Sequence, residues 1–268
     1  MNGHNILTFA DQNFFPIVWQ HAKQVRRFVS YRLYVYDLGL NNSSRQRLTD
    51  IGVTVLRTEF PADALGRNTR NHILGTHKMY CIEDYIKAHR GPVLVLDADT
   101  LLTENDELWP DEPDCIVVTA RGPREHDPKL SLNGKINSGV MAFGSGIPAE
   151  FFRQWKERCS QDSNATDQSA LSDMLAEENI DFEKFDLRQP CWWGGVVVRD
   201  GEIYNDTSCR TGKIFHFKNN LIRRPKKLFL FTLFSTFTAV FPSLVAALVR
   251  YNRKHRLYVW KRKNFAKH

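Results

Sequence analysis

Residues 91–102 read GPVLVLDADTLL, an apolar run from Val93 to Leu96 that ends in two aspartates separated by one alanine. A run this short, bounded by Gly-Pro and closed by charge, is the pattern of a strand buried on both faces, as in a parallel sheet covered by helices. Upstream, residues 5–10 (NILTFA), 32–38 (RLYVYDL) and 53–57 (VTVLR) are further strand candidates, with helical patterns near 14–28, 43–50 and 73–89 between them. That alternation predicts β-α-β units, hence an α/β fold with a mainly parallel central sheet. More strands are expected at 115–120, 136–143, 196–204 and 213–217, and helices near 148–161 and 166–178.

Ligands of open parallel sheets bind beyond the carboxyl ends of the strands, which is where Asp97 and Asp99 fall. In extended chain, residues i and i+2 point to the same face roughly 6.5 Å apart, and a bend at the strand end can turn both carboxylates toward one divalent cation. Two uncompensated carboxylates this close repel, and a metal ion removes the repulsion. A solvated acidic turn with Thr100 as a local cap fits D-x-D equally well when the motif is read alone.

Composition bounds the rest. With 42% hydrophobic residues in 268, the chain can bury one full core. The five cysteines, Cys81, Cys115, Cys159, Cys191 and Cys209, are dispersed and form no C-x-x-C pair, which suggests a reducing compartment rather than a disulfide framework or zinc cluster. The N-terminus runs directly into a strand and has no signal-peptide pattern. The formal net charge of +7 is not evenly spread: from Lys218 onward there are 13 Lys or Arg and no Asp or Glu, leaving 24 bases against 30 acids before it. A body with net negative charge does not suggest nucleic acid as a partner. We therefore divide the chain into a main body, 1–217, and a basic, apolar segment, 218–268.

Within that segment, residues 228–249 (LFLFTLFSTFTAVFPSLVAALV) hold 22 residues without a charge, framed by RRPKK (223–227) and RYNRKHR (250–256). The length suffices to cross roughly 30 Å of hydrocarbon as a helix. Basic flanks on both sides run against the positive-inside tendency, and Pro242 interrupts the run, which favours a monotopic or re-entrant association with an anionic cytoplasmic membrane face. A buried core helix at the end of the globular body and a single span are the alternatives.

The window 76–109, THKMYCIEDYIKAHRGPVLVLDADTLLTENDELW, resembles the glycogenin-like retaining sugar-nucleotide transferases, which include lipopolysaccharide galactosyltransferases: a lysine-led helix, an apolar strand, D-A-D-T-L, then an acidic N-D-E-L element. Three later segments follow in the family's order: NSGVMAF (137–143), TDQSAL (166–171) and FHF (215–217). The resemblance covers most of residues 5–217. It implies a GT-A, Rossmann-like fold and a metal-dependent hexosyltransferase that uses a nucleotide-sugar donor, with UDP as the expected nucleotide. It implies Asp97, Asp99 and His216 as ligands of Mn²⁺ or Mg²⁺. Lys78, Ala98, Asn137, Ser138 and Gly139 become donor-side residues. Asp167 and Gln168 fall beside the sugar's reacting carbon, and Thr8, Ala10, Asp11 and Phe14 beside the nucleoside. The family's H-x-x-G and K-P-W phosphate segments are missing after the histidine, so Lys218, Arg223 or Arg224 would have to neutralise the diphosphate. Asp167 as nucleophile and a front-face departure are both compatible with retention. Trp192 and Trp193 fit either an acceptor-stacking platform or packing under the sheet edge. The basic, apolar end resembles that of the family's bacterial members and suggests a glycan or glycolipid acceptor at the membrane.

Two other classes fit parts of the pattern. Haloacid-dehalogenase-like phosphotransferases also end a strand in D-x-D, but they require Thr or Val where Leu101 stands and begin with the motif, whereas here it follows a complete β-α-β half. A membrane-tethered binding protein without catalysis would explain the basic end but not the ordered polar motifs.

Overall fold

The computed structural model describes residues 4–27, 31–59, 70–89, 91–102, 116–120, 136–161, 165–176, 187–188, 197–199, 202–204, 214–216, 225–238, 241 and 244. In chain order the elements are β1 (His4–Ala10), α1 (Phe15–Val25), β2 (Tyr31–Asp37), α2 (Asn42–Asp50), β3 (Thr54–Leu56), α3 (Arg70–His89), β4 (Val93–Leu96) and β5 (Thr100–Leu102). They continue with β6 (Ile116–Ala120), β7 (Ile136–Phe143), α4 (Ala149–Gln161), α5 (Asp167–Ala176), β8 (Leu187–Arg188), β9 (Val197–Arg199), β10 (Glu202–Tyr204), β11 (Ile214–His216) and α6 (Pro225–Thr238). The main sheet has the order β3-β2-β1-β4-β7-β6-β8. Pairs β1–β2, β1–β4, β2–β3 and β6–β8 are parallel, while β7 is antiparallel to both β4 and β6. The sheet is thus mainly parallel, as expected. Its order reverses at β1, whose chain first goes to β2 on one side and later returns through β4 on the other, so the ends of β1 and β4 flank a topological switch point.

Strand alternation distributes the core between the two faces of the sheet. Ile6, Leu94 and Leu96 join Ile17, Val18 and Val25 of α1 on one face; Leu7, Val93 and Val95 join Met79, Ile82, Phe151, Trp155 and Leu171 of α3, α4 and α5 on the other. The period of two continues past Leu96, so Asp97 follows Val93 and Val95 toward α3 and α5. That parity is what delivers the first aspartate to the helices carrying the remaining polar motifs.

Two differences from the sequence reading matter. Lys78 does not open its helix: α3 starts at Arg70, so the lysine is on a mid-helix turn facing the sheet, beside the fully buried His77 and Met79. The apolar run beyond 227 begins as α6, which packs against the body. Phe231 is fully buried in the α1-side core, with Leu228 against the same cluster and Ser235 buried on the same face. Among the described residues, no helix is long and apolar enough to cross a membrane. Because Phe231 fills the core rather than facing solvent, Phe231→Ala is expected to lower stability by about 3 kcal/mol, read by urea unfolding. An unchanged midpoint would mean that α6 is not part of the folding unit.

Candidate active site

Asp97, Lys78 and Asp167 meet at the carboxyl end of β4. Lys78 Nζ donates to Asp97 Oδ1 at 2.8 Å, to the Ser138 carbonyl at 2.9 Å and to Ser138 Oγ at 3.3 Å. It also lies 3.2 Å from Asp167 Oδ2, an ion pair outside aligned hydrogen-bond geometry. The Lys78 and Asp167 side chains are 7% and 8% exposed, whereas Asp97 is 32% exposed and opens outward. Burial opposes the charge on Lys78, but the Asp167 and Asp97 carboxylates outweigh it and raise its pKa above the ordinary lysine value. The Phe9 ring, near the end of β1, lies 5.8 Å from the ammonium and closes the apolar side.

The backbone around the aspartates is fixed from two directions. Asp97 N–H donates to Gly139 O at 2.8 Å, and the Asp97 carbonyl accepts from Thr100 N–H and Oγ1 at 3.0 and 2.8 Å. Thr100 therefore does cap the acidic turn, and the turn it closes is the one that carries both carboxylates. From behind, α1 grips the following strand: His21 Nδ1 donates to the Thr100 carbonyl at 3.1 Å, while the Gln24 amide bonds both the carbonyl and the N–H of Leu102. Neither His21 nor Gln24 is conspicuous in the sequence; the only signal was a pair of polar residues at i and i+3 on the apolar face of a helix.

A second cluster joins α5 to β7. Thr166 Oγ1 accepts from Ser169 N–H and Ser169 Oγ from Thr166 N–H, a reciprocal cap that leaves Asp167 and Gln168 their side chains for other work. Trp155 Nε1 donates to the Asp167 carbonyl at 2.8 Å and fixes the helix start. Gln168 Oε1 accepts from Asn137 Nδ2 at 3.1 Å and from Ser138 N–H at 3.4 Å, and Asn137 Oδ1 accepts from Gly139 N–H at 3.2 Å. Gly139 in turn holds Asp97, so the two clusters form one hydrogen-bonded unit.

Of the expected site residues, Lys78, Asp97, Asn137, Ser138, Gly139, Asp167 and Gln168 converge here. Ala98 is buried in the turn and Asp99 is half-buried beside it. His216 is placed by its strand: β11 pairs antiparallel with β5, setting His216 opposite Thr100, one residue past Asp99. The nucleoside set lies at the end of β1, with Thr8 and Ala10 fully buried, Phe14 against the core, and Asp11 accepting from Phe14 N–H and Asn13 Nδ2. Lys218, Arg223, Arg224, Trp192 and Trp193 lie outside the described residues. Among the described residues no three His, Cys, Asp or Glu side chains gather as a metal cluster. The donor set still fits a hard divalent ion: two carboxylates at i and i+2 on one closed turn, an outward-opening Asp97, and a histidine strand adjacent in register.

Comparison with known proteins gives the family and the fold. A profile of the nucleotide-diphospho-sugar transferase family matches residues 65–209, more than half of the chain. The protein belongs to that family. A search of curated proteins gave no match. Among solved structures, the galactosyltransferase LgtC, in complex with donor and acceptor sugar analogues, superposes with a TM-score of 0.53 at 14% identity, covering 88% of this chain and 95% of that one. The glycosyltransferase GlyE of Streptococcus pneumoniae TIGR4 gives a TM-score of 0.53 at 13% identity, covering 88% of this chain and 63% of that one. At these identities the likeness establishes the GT-A fold. The phosphotransferase and non-catalytic readings are set aside by the family match.

Two outcomes are expected. Lys78→Met leaves Asp167 buried without its cation and should lower stability by about 3 kcal/mol in denaturant titration; a variant as stable as the parent would show that the ion pair contributes nothing. The second concerns His21, whose pKa burial depresses from 6.5 to about 4 despite its bond to Thr100 and the charges of Asp99 and Asp97. The unfolded chain therefore takes up this proton first on acidification. The associated stability, on the order of 3 kcal/mol, is fully present above pH 6.5 and is lost as pH falls toward 4. Unfolding midpoints of the parent and His21→Asn across that range should show a shallower slope in the variant.

Proposed function

We propose that this protein transfers a hexose from a UDP-sugar, with retention, to a glycan or lipid-linked acceptor at the cytoplasmic face of a membrane. The observation that carries this reading is the Lys78 bridge, which ties the D-x-D turn, assigned here to the diphosphate, to the Asp167-Gln168 helix start, assigned to the sugar. Asp97, Asp99 and His216 would hold Mn²⁺ or Mg²⁺. Bound there, the ion would supply Lewis-acid stabilisation to the charge that develops on the departing diphosphate. Lys78 keeps Asp97 oriented and adds a buried positive charge on the donor side. Asn137, Ser138 and Gln168 offer amide and hydroxyl groups to sugar hydroxyls, and Gly139 permits close approach. Thr8, Ala10, Asp11 and Phe14 are assigned to the nucleoside side, at the end of β1. Lys218 is assigned to the diphosphate.

The ion pair bears on retention. Asp167 Oδ2 is pinned 3.2 Å from Lys78 in a buried setting, and the adjacent ammonium weakens it as a nucleophile. We therefore favour attack from the face the diphosphate leaves. Mass spectrometry after incubation with donor is expected to find no glycosyl adduct on Asp167; a stable adduct would establish double displacement.

The central test is a thermal-shift screen of nucleotide-sugars with Mn²⁺. A UDP-hexose at about 100 times its dissociation constant stabilises by about 2.7 kcal/mol, roughly 5 °C or more for a chain of this size. Asp99→Asn should abolish the shift and the Mn²⁺-dependent hydrolysis of that donor. If no UDP-sugar stabilised the parent and Asp99→Asn altered nothing, the reading would fail.

A further inference from the structure

The exposed large apolar side chains among the described residues are Phe229, Leu233 and Phe237 on α6 and Phe241 and Leu244 after it in the chain, from 37% to 66% exposed. The first four recur every four residues in the sequence, and Phe241 N–H donates to the Phe237 carbonyl at 2.8 Å, which ties Phe241 to the end of α6. Leu228, Phe231 and Ser235 occupy the opposite face and are turned into the body. At about 100° per residue the two faces lie nearly back to back. A contiguous apolar strip of this kind is what soluble surfaces avoid.

Beside it, Trp19 and Lys23 of α1 and Arg26 and Arg27 of the turn that ends it line, with Ile51, a surface cavity of about 410 Å³. Arg47 stacks on the Trp19 ring at 4.6 Å and brings a fourth cation to the cavity's edge. The neighbouring acid, Asp50, accepts from Gln46. Arg27 Nη1 lies 3.5 Å from the Thr236 carbonyl, so the basic cavity and the apolar helix adjoin.

We propose that the α6 stripe and the α1 cavity together form a membrane-docking face, with the stripe in the acyl boundary of an anionic bilayer and the cavity holding a lipid phosphate. This rests on, and sharpens, the reading that the enzyme works at a membrane. The occupant follows from the geometry. The inner face of α6 is committed to protein through Leu228, Phe231 and Ser235, so the helix lies along the interface plane and not across the bilayer. Cations flanking an apolar face match anionic headgroups at that depth. The catalytic body is therefore not a domain on a loose tether. Its orientation is fixed by α1, the same helix that holds the D-x-D turn through His21 and Gln24.

The experiment is flotation of the full chain with phosphatidylcholine vesicles, with and without phosphatidylglycerol. The parent should float with the anionic vesicles. Replacing Lys23, Arg26 and Arg27 together by Gln should reduce that partition by about 100-fold while leaving the weaker neutral-vesicle binding in place. Phe229→Ser with Phe237→Ser should reduce both. Each variant should keep the parental unfolding midpoint and UDP-sugar hydrolysis, since none of these residues touches the site. The proposal is overturned if the Gln variant floats like the parent, or if the parent is a dimer in light scattering that the Ser variant dissociates without change in flotation. Parental flotation with no hydrolysis of any UDP-sugar would uphold the docking face and refute the UDP-sugar reading.

Discussion

A single buried ammonium holds the site in shape. Asp97 and Asp167 belong to elements 70 residues apart in the chain and would repel at the distance the fold imposes; Lys78, on a third element, lies within 3.2 Å of both. Removing a charge of this kind from water is unfavourable unless its partners are close, and here two carboxylates and a serine carbonyl surround it. The opposing charges fix the angle between the D-x-D turn and the start of α5. Because Asp97 also bonds Gly139, and Gly139 is tied through Asn137 to Gln168, no member of the set moves without the others.

Helix α1 performs two tasks that pull its sequence in different directions. Its inner face must be apolar to cover the sheet, yet it carries His21 and Gln24, both fully or almost fully buried, to satisfy the backbone of β5. A short strand leaving a charged turn has few ladder partners of its own, and side chains from behind supply what the sheet does not. The outer face of α1 is basic and adjoins α6. The D-x-D turn, its supporting helix and the apolar stripe thus form a stack, in which the proposed docking surface is one helix removed from the candidate site.

Much of the architecture was legible. The strand and helix periods from residue 5 to residue 178 match the elements to within a few residues, because alternating runs separated by turn residues admit little else. The polar motifs were legible as candidates. What could not be read was β5, three residues whose pairing with β11 depends on a partner more than 100 residues away, and the start of α3, where Lys78 is mid-helix. The charge count set the C-terminal segment apart, but it could not reveal that one face of α6 completes the core, since Leu228, Phe231 and Ser235 do not differ in kind from the residues on the exposed side.

The sequence by itself determined the β-α-β order, the position of two aspartates at a strand's carboxyl end, and the separation of a basic, apolar end from an acidic body. Those are properties of local period and composition, which physics reads one segment at a time. Only the tertiary structure decided that Asp97 faces Lys78 and Asp167, that His21 and Gln24 support the turn, and that α6 divides into a buried face and an exposed one. Each of these depends on which distant groups share a low-dielectric space, and such proximity is created by packing rather than by sequence spacing.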